Sequence, residues 1–428
     1  MSDRYWVGGM GYISPSGGTC VAQRLIVGDN VVAVSVVGTL LVNIPSGLTG
    51  HVHGDGTCNV TDDPKALTVP AAAGDTGQTT VTTSGAAGNI TVTLVQTAVS
   101  NWSYISSWSA ATGGISNASV PTSADSVYFN ANSFSAASQT CTVNAAANCL
   151  DMVWTGATNT PTFAGSSNID YAGNITFILA MVATYTGGLK SSGAAATFRT
   201  NGLSLGGTVS VSSGQLTFQD AVVTTSNVRV QSGTLITNNQ NVTCSSFYDQ
   251  GTVGAKTITL GSSIVTCGKW SFLSDLILTA NTSTINCSGD FSGGGIATYN
   301  IVNLTGTTST ITGSNTFAEL NLVAAKTQTI TFTDGTTQTV PTASLSGDST
   351  HTHTLQGSAA AGWYIVKTGG SYLLFDYLAI INSKASPVST WRADIHSTNS
   401  GGNTGWVWAA GQSKGGGLIQ TLLMEGVI

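Results

Sequence analysis

Charge is the scarcest thing in this chain. Only 7% of its 428 residues are Asp, Glu, Lys or Arg, against a usual share of about 25%. Phosphate neutralisation needs clustered Lys and Arg, and 13 basic residues spread over a chain of net charge −6 exclude nucleic acid as an expected partner. Long apolar runs are missing too: nothing approaches the about 18 residues of a membrane-crossing helix, so no membrane span is expected. The opening MSDRYWVGGMGY has neither a basic n-region nor an apolar h-region, so no secretory signal peptide is expected. If the protein ends outside a cell, it is expected to arrive there by lysis or as part of a particle. Cysteine occurs at positions 20, 58, 141, 149, 244, 267 and 287, without a C-x-x-C pair or ligand-like clustering. Reduced thiols serving as small apolar residues are expected, the alternative being a Cys20–Cys58 or Cys141–Cys149 bridge.

The space is filled by 52 glycines together with Ser, Thr, Ala and Asn, and a hydrophobic fraction of 41% removes the chain from the disordered class. This is an all-β composition. Its surface consists of hydroxyls, amides and backbone, which suits a protein held in an assembly.

The organising feature is a stretch written twice. Residues 209–219 read VSVSSGQLTFQ and residues 228–238 read VRVQSGTLITN, so V-x-V-x-S-G-x-L recurs at an offset of 228 − 209 = 19. Short β-branched runs and Gly corners at a period near 20 are the signature of coil stacked on coil. SSIVTCGKWSF at 262–272 is echoed by TSTINCSGDFS at 282–292; Ile264 and Ile285 align, as do Trp270 and Phe291, while Cys267 and Cys287 are one residue closer. Corners tolerate an extra residue and strands do not. Parallel crossovers are right-handed almost without exception, so the expected fold is a right-handed parallel β-helix, a β-solenoid. About 270 residues between 140 and 408, at ~20 per turn, give ~13 turns and a rod of ~60 Å. Val209, Val211, Leu216, Val228, Val230 and Leu235 form its expected core, and Ser210, Ser212, Arg229 and Gln231 its outward positions.

Other segments differ in texture. Residues 1–13 are an aromatic, Gly-rich piece too short to fold alone, expected as a cap strand of the solenoid. Residues 14–98 alternate apolar and polar between Gly-Asp, Asp-Gly and Pro turns, which predicts a small β-sandwich-like or irregular β-domain. Residues 99–139 form a cap or transition, where Trp102, Tyr104 and Trp108 are expected to plug the open end of the solenoid, with a sugar-stacking platform as the alternative. The β-helix occupies 140–410. In 411–428 a Gly-rich hinge precedes LIQTLLMEGVI, and Leu418, Ile419, Leu422, Leu423 and Met424 approximate a helical stripe. They are expected either to pack on the last coil or to dock on another chain.

Catalytic signatures are absent. Glycosidic cleavage needs two carboxylates about 5 Å apart, or ~6.5–9.5 Å for inversion, and Asp151, Asp170, Asp220, Asp249, Asp275 and Asp290 are scattered singly. Two of them could pair only by stacking on neighbouring turns; surface turn residues account for them otherwise. No G-x-S-x-G elbow is present, and neither a catalytic residue nor a cofactor is expected. The pairs His51/His53 and His351/His353 put two imidazoles on one strand face, which makes them metal candidates, with His351 and His353 in STHTHTL favoured; ordinary strand histidines are the alternative. Asn-x-Ser/Thr triplets at Asn89, Asn174, Asn241 and Asn303 follow from composition.

Five phrases carry a family likeness: RYWVGG (4–9), SVPTSADSVYFNANSF (119–134), NCLDMVWTG (148–156), SNTFAELNL (314–322) and GGNTGWVW (401–408). They resemble Gly/Thr-rich parallel β-helix proteins of tailed bacteriophages and prophages, of the tail-fibre, tailspike or head-decoration type. In that family YWVGG runs almost directly into a W-S-x-x-(S/T)-G-G phrase; here Trp108-Ser109 follows only after the strand-rich segment, which suggests that 14–98 is inserted. The resemblance implies a structural virion protein, assembled in the host cytoplasm, homotrimeric and attached to capsid, portal or tail. Host attachment through a polar face, to a glycan or protein, is the expected role. A polysaccharide depolymerase tailspike and a bacterial surface adhesin are the alternatives.

Overall fold

The computed structural model describes residues 2–6, 25–27, 30–32, 39–42, 50–53, 57–60, 79–84, 90–96, 99–114, 118–249, 254–272, 275–294 and 298–409. Among the described residues the structure is strand and turn, with a 3-10 turn at Ile105–Ser107 as its helical element. The parallel strands stack as a β-solenoid, in keeping with the expected fold class. The chain divides into two compact units, residues 1–208 and 209–428.

In the first unit the coil has three sides. On one, Ser2–Trp6 runs parallel to Asp125–Tyr128, followed by Met152–Val153, Ile175–Thr176 and Ala196–Arg199. A second carries Val99–Asn101, Thr140–Val143, Thr162–Gly165 and Val182–Ala183. The third carries Ala147–Cys149, Ile169–Tyr171 and Leu189–Ser191. Residues 99–139 therefore already supply coil strands, and the solenoid starts earlier than residue 140.

Between Ser2–Trp6 and Val99–Asn101 the pairing turns antiparallel, with Asn30–Val32, Leu25–Val27, Gly50–His53 and Thr57–Val60 in one sheet and Thr39–Val42, Ile90–Gln96 and Thr79–Ser84 in another. Trp6 and Trp108 are register partners across an antiparallel pair, so the strand before this segment meets one that follows it. Val99–Asn101 and Trp108–Ser109 are edge strands of their sheets. Trp102 and Trp108 are buried there, ring centroids 4.9 Å apart and edge to face, with Trp108 Nε1–H donating to Trp102 O at 2.8 Å. This is the plugged end expected of them; Tyr104 is half-buried. Phe129 continues the aromatic core, stacked 3.7 Å from Trp154. Large flat rings fill the width of the coil where Val and Leu alone would leave voids.

In the second unit one inward column runs Val209, Val228, Phe247, Trp270, Phe291, Ile311 and Phe332 through successive coils, and all of them are buried. Phe247 and Trp270 stack at 4.9 Å, Trp270 and Phe291 at 6.2 Å. Val211 pairs with Val230 and Leu216 with Leu235, again buried, so the six expected core residues take the expected places. Two details differ. Ser210 is buried, because Val209–Val211 is covered on both faces. In the second repeat Ile264 faces Thr284 while Val265 faces Ile285 and Cys267 faces Cys287, and the offset becomes 21 from Trp270 and Phe291 onward. The extra residue therefore lies in the Ser288–Asp290 corner, and exposed Ile264 has no core counterpart.

Leu235→Asp, or Leu216→Asp, places an unpaired carboxylate in this column and should cost at least about 4 kcal/mol. A urea or thermal transition unchanged from the parent protein would contradict the stacked core.

Candidate functional site

In so weakly charged a chain, concentrations of ionisable side chains stand out. Three of the 5 histidines fall on one region of the second unit. Thr342–Ser344, Leu373–Phe375 and Trp391–Ala393 each lead through a corner into His353–Gly357, Leu378–Ile381 and Thr398–Asn399, which pair in parallel on consecutive coils. The three corners carry Asp348 and His351, Asp376 and Tyr377, and Asp394 and His396.

Asp376 ties its corner to its neighbours. Its Oδ1 accepts backbone N–H bonds from Tyr377 and His396, both at 2.9 Å, and its Oδ2 accepts the His396 Nδ1 bond at 2.6 Å. Desolvation raises the Asp376 carboxyl, but the His396 side chain and the two amides outweigh it and hold it below the usual carboxylate range. This contact fixes His396 with Nδ1–H toward the carboxylate and Nε2 outward. Tyr377 lies parallel to the His396 ring at 4.5 Å, on a backbone with φ of +55°, a conformation a bulky residue rarely adopts. The preceding corner closes against it: Gly347 N–H donates to Asp376 O, and a Cβ on Gly347 would lie 2.0 Å from His351 O. Only glycine fits there.

His351 repeats the pattern, its Nδ1 2.8 Å from Asp348 Oδ1. The Thr350 hydroxyl and amide are the main cause that lowers Asp348 to about 2, with His351 adding to them. His353 behaves differently. Its ring is buried, with Nδ1 2.9 Å from Leu345 O and Nε2 2.9 Å from Lys326 O. Both nitrogens are thus occupied and the ring faces inward, while His351 sits in the turn before the strand. The two metal candidates do not converge on one strand face, because the expected alternation is broken by the Asp348–His351 bridge. Among the described residues no three His, Cys, Asp or Glu side chains are grouped to hold a metal ion. The side chains of His51 and His53 lie outside the described residues, as do Leu418, Ile419, Leu422, Leu423 and Met424.

Of the scattered aspartates, Asp249 and Asp275 are brought together. Both reach Lys256 Nζ, at 3.8 Å and 2.5 Å, so their Oδ2 atoms are at most 3.8 + 2.5 = 6.3 Å apart. Lys256 occupies an inward position between Gly233 and Leu276 and is fully buried; the absent side chain at Gly233 leaves it room. Asp170 faces Lys190 on the next coil at 3.4 Å. Asp151 accepts from Ser126 Oγ at 2.7 Å and from Asn174 N–H at 2.6 Å, and Asp290 from Thr310 N–H at 3.0 Å. These are structural bonds between neighbouring coils.

The five buried cysteines, Cys141, Cys149, Cys244, Cys267 and Cys287, are free thiols, so no Cys141–Cys149 bridge forms. The outward face adds an amide ladder, in which Asn303 Nδ2 donates to Asn286 Oδ1 at 2.8 Å and Asn321 Nδ2 to Asn303 Oδ1 at 3.0 Å. Comparison with family models, with curated proteins and with solved structures finds no match.

Two measurements check this chemistry. Lys256→Met strips the counter-charge from buried Asp249 and should cost about 3–5 kcal/mol, with Asp249→Asn added on top recovering part of it in urea titrations. Because the Asp348 and Asp376 carboxyls are lowered, the stability they contribute is present above the ordinary carboxylate range and is lost as pH falls through their folded values. Asp376→Asn should lower stability at neutral pH, where the ionised carboxylate holds its partners, and flatten the acid limb of the stability profile below about pH 4.

Proposed function

We propose that the chain is a structural component of a tailed-phage particle: a β-solenoid fibre, spike or decoration subunit that takes part in assembly and offers a polar surface to the host. The observation that carries this is the outward surface. Uncharged Asn and Thr side chains repeat coil after coil, as in the ladder of Asn286, Asn303 and Asn321, while many of the few charges are engaged in bonds between coils. A repeating array of hydroxyls and amides suits many weak polar contacts with a glycan or protein, and multiplicity makes them strong when several copies engage together. The Tyr377–His396 stack adds an aromatic, hydrogen-bonding platform to the same unit. Homotrimeric assembly in the host cytoplasm, with capsid, portal or tail as the attachment partner, belongs to this proposal through the family likeness of the first dozen residues and most of 100–408.

A glycan-cleaving role is the second possibility, favoured by one observation: Asp249 and Asp275 converge on Lys256 Nζ, at 3.8 Å and 2.5 Å, which brings two carboxylates of neighbouring coils together as such chemistry requires. Against it stands Lys256, buried between them and compensating their charge. Asp249→Asn and Asp275→Asn decide the matter if purified protein releases reducing ends from host glycans and the substitutions abolish it.

For the structural role, purified particles should contain the chain in fixed stoichiometry, and antibody against residues 209–409 should block adsorption to host cells. Particles that lack the chain, or that adsorb normally with the surface covered, would overturn it.

A further inference from the structure

Lys256 opens the strand Lys256–Thr259, in register with Gly233 on the coil before and Leu276 on the coil after. Its side chain is fully buried, with Nζ 2.5 Å from Asp275 Oδ2 and 3.8 Å from Asp249 Oδ2, and the Asp249 side chain is itself only 4% exposed. With a C–O bond of about 1.2 Å, Nζ is at most about 3.7 Å from Asp275 Cγ, close to the roughly 3–3.5 Å from which an oriented nucleophile attacks. Asp275 Oδ1 is buried without a hydrogen-bond partner among the described residues, while Oδ2 accepts from Lys256.

A second Lys–Asp pair shows what is particular here. Lys190 and Asp170 also meet from coil to coil, at 3.4 Å, but their side chains are 35% and 45% exposed, so water solvates both charges. At Lys256 water is kept from the nitrogen. Two charges taken out of water cost more than their attraction returns unless further hydrogen bonds complete the pair, and Asp275 Oδ1 has none. A neutral amide in the same place would shed that cost. Asp249 supplies the third part, a carboxylate next to the reacting nitrogen that can carry protons. A buried amine, a carboxyl carbon within reach and a proton carrier are what amide formation needs.

We propose that Lys256 and Asp275 condense into a side-chain amide that ties consecutive coils covalently. One ammonium proton passes from Lys256 through Asp249 to the Asp275 carboxylate. The lone pair left on Nζ attacks Cγ, and the C=O electron pair moves onto its oxygen. A second nitrogen proton passes through Asp249 to a hydroxyl on Cγ, the C–O bond breaks and water leaves. One ammonium and one carboxylate become one amide and one water; Asp249 ends in the protonation state in which it began, and nothing is oxidised or reduced. The bond joins residues 275 − 256 = 19 apart, one coil, so a solenoid that opens coil by coil is locked at this point. The bond uses up Asp275 and so is incompatible with glycan cleavage by Asp249 and Asp275, while it is independent of the structural role proposed above.

The test uses full-length protein, folded at neutral pH and then unfolded in urea, weighed intact by mass spectrometry and digested with trypsin. The expected chain is lighter than its sequence by one water, trypsin fails to cut after Lys256, and a branched peptide joins Lys256 to Asp275. Lys190 should be cut normally. Lys256→Arg and Asp275→Ala should each have the full mass. Asp249→Asn, which leaves the Lys256–Asp275 contact in place, should form the bond at least tenfold more slowly. A parent chain of full mass with Lys256 cut normally would overturn the proposal. So would loss of water with Lys256 still cut, as from a succinimide at Asp275, or a bond between Lys190 and Asp170, which would remove burial as the cause. Bond formation in Asp249→Asn at the parent rate would overturn the proton relay. The parent protein alone decides whether the amide exists should a variant fail to fold.

Discussion

The structure depends on one constraint: side chains at equivalent inward positions of successive coils must stack on each other. Parallel strands hydrogen-bond evenly along the stack, but backbone bonds alone do not choose between registers. The choice comes from the column running from Val209 through Phe247, Trp270 and Phe291 to Phe332. A slip of one residue would turn each inward side chain out and bury the polar set. Corners may then lengthen freely, since an added residue at Ser288–Asp290 leaves the pairs on both sides in place. The first unit meets the same constraint with stacked rings, Phe129 on Trp154.

This economy explains where charge is found. Buried ionic groups are costly unless compensated, and the coil offers compensation mainly from the neighbouring coil. Lys256 lies between Asp249 and Asp275, Lys190 meets Asp170, and His396 is held by Asp376, in the last two cases from one coil to the next. The same geometry that builds the core thus places ionisable groups in vertical pairs. It also places the thiols of Cys244, Cys267 and Cys287 in a file. Functional surface is left to uncharged ladders and to the corners, where loops can vary without disturbing the stack.

Much of this was legible in the sequence, and the boundary is physical. The doubled phrase at 209–238 showed period, strand and core, because inward positions of neighbouring coils demand the same kind of side chain. The antiparallel strands before residue 99 were legible from their alternation and turns. The extra residue of the second repeat could not be located from the letters, since Ile264 aligns with Ile285 as well as Val265 does until exposure separates them. The His–Asp corner escaped for a related reason. Asp376 and His396 are 396 − 376 = 20 apart, one coil, so the period contained the signal, but a contact between coils has no local motif. The H-x-H pattern misled because it presumes an unbroken strand, and the turn at Asp348–His351 interrupts it.

The most direct check is a density map of residues 209–409 at a resolution that separates strands. Parallel layers about 4.8 Å apart, with Phe247, Trp270 and Phe291 in one column and Cys267 beside Cys287, are the expected result. Antiparallel pairing in this unit, or a register that sets Trp270 against Asp290 or Ser292, would contradict the account at its base.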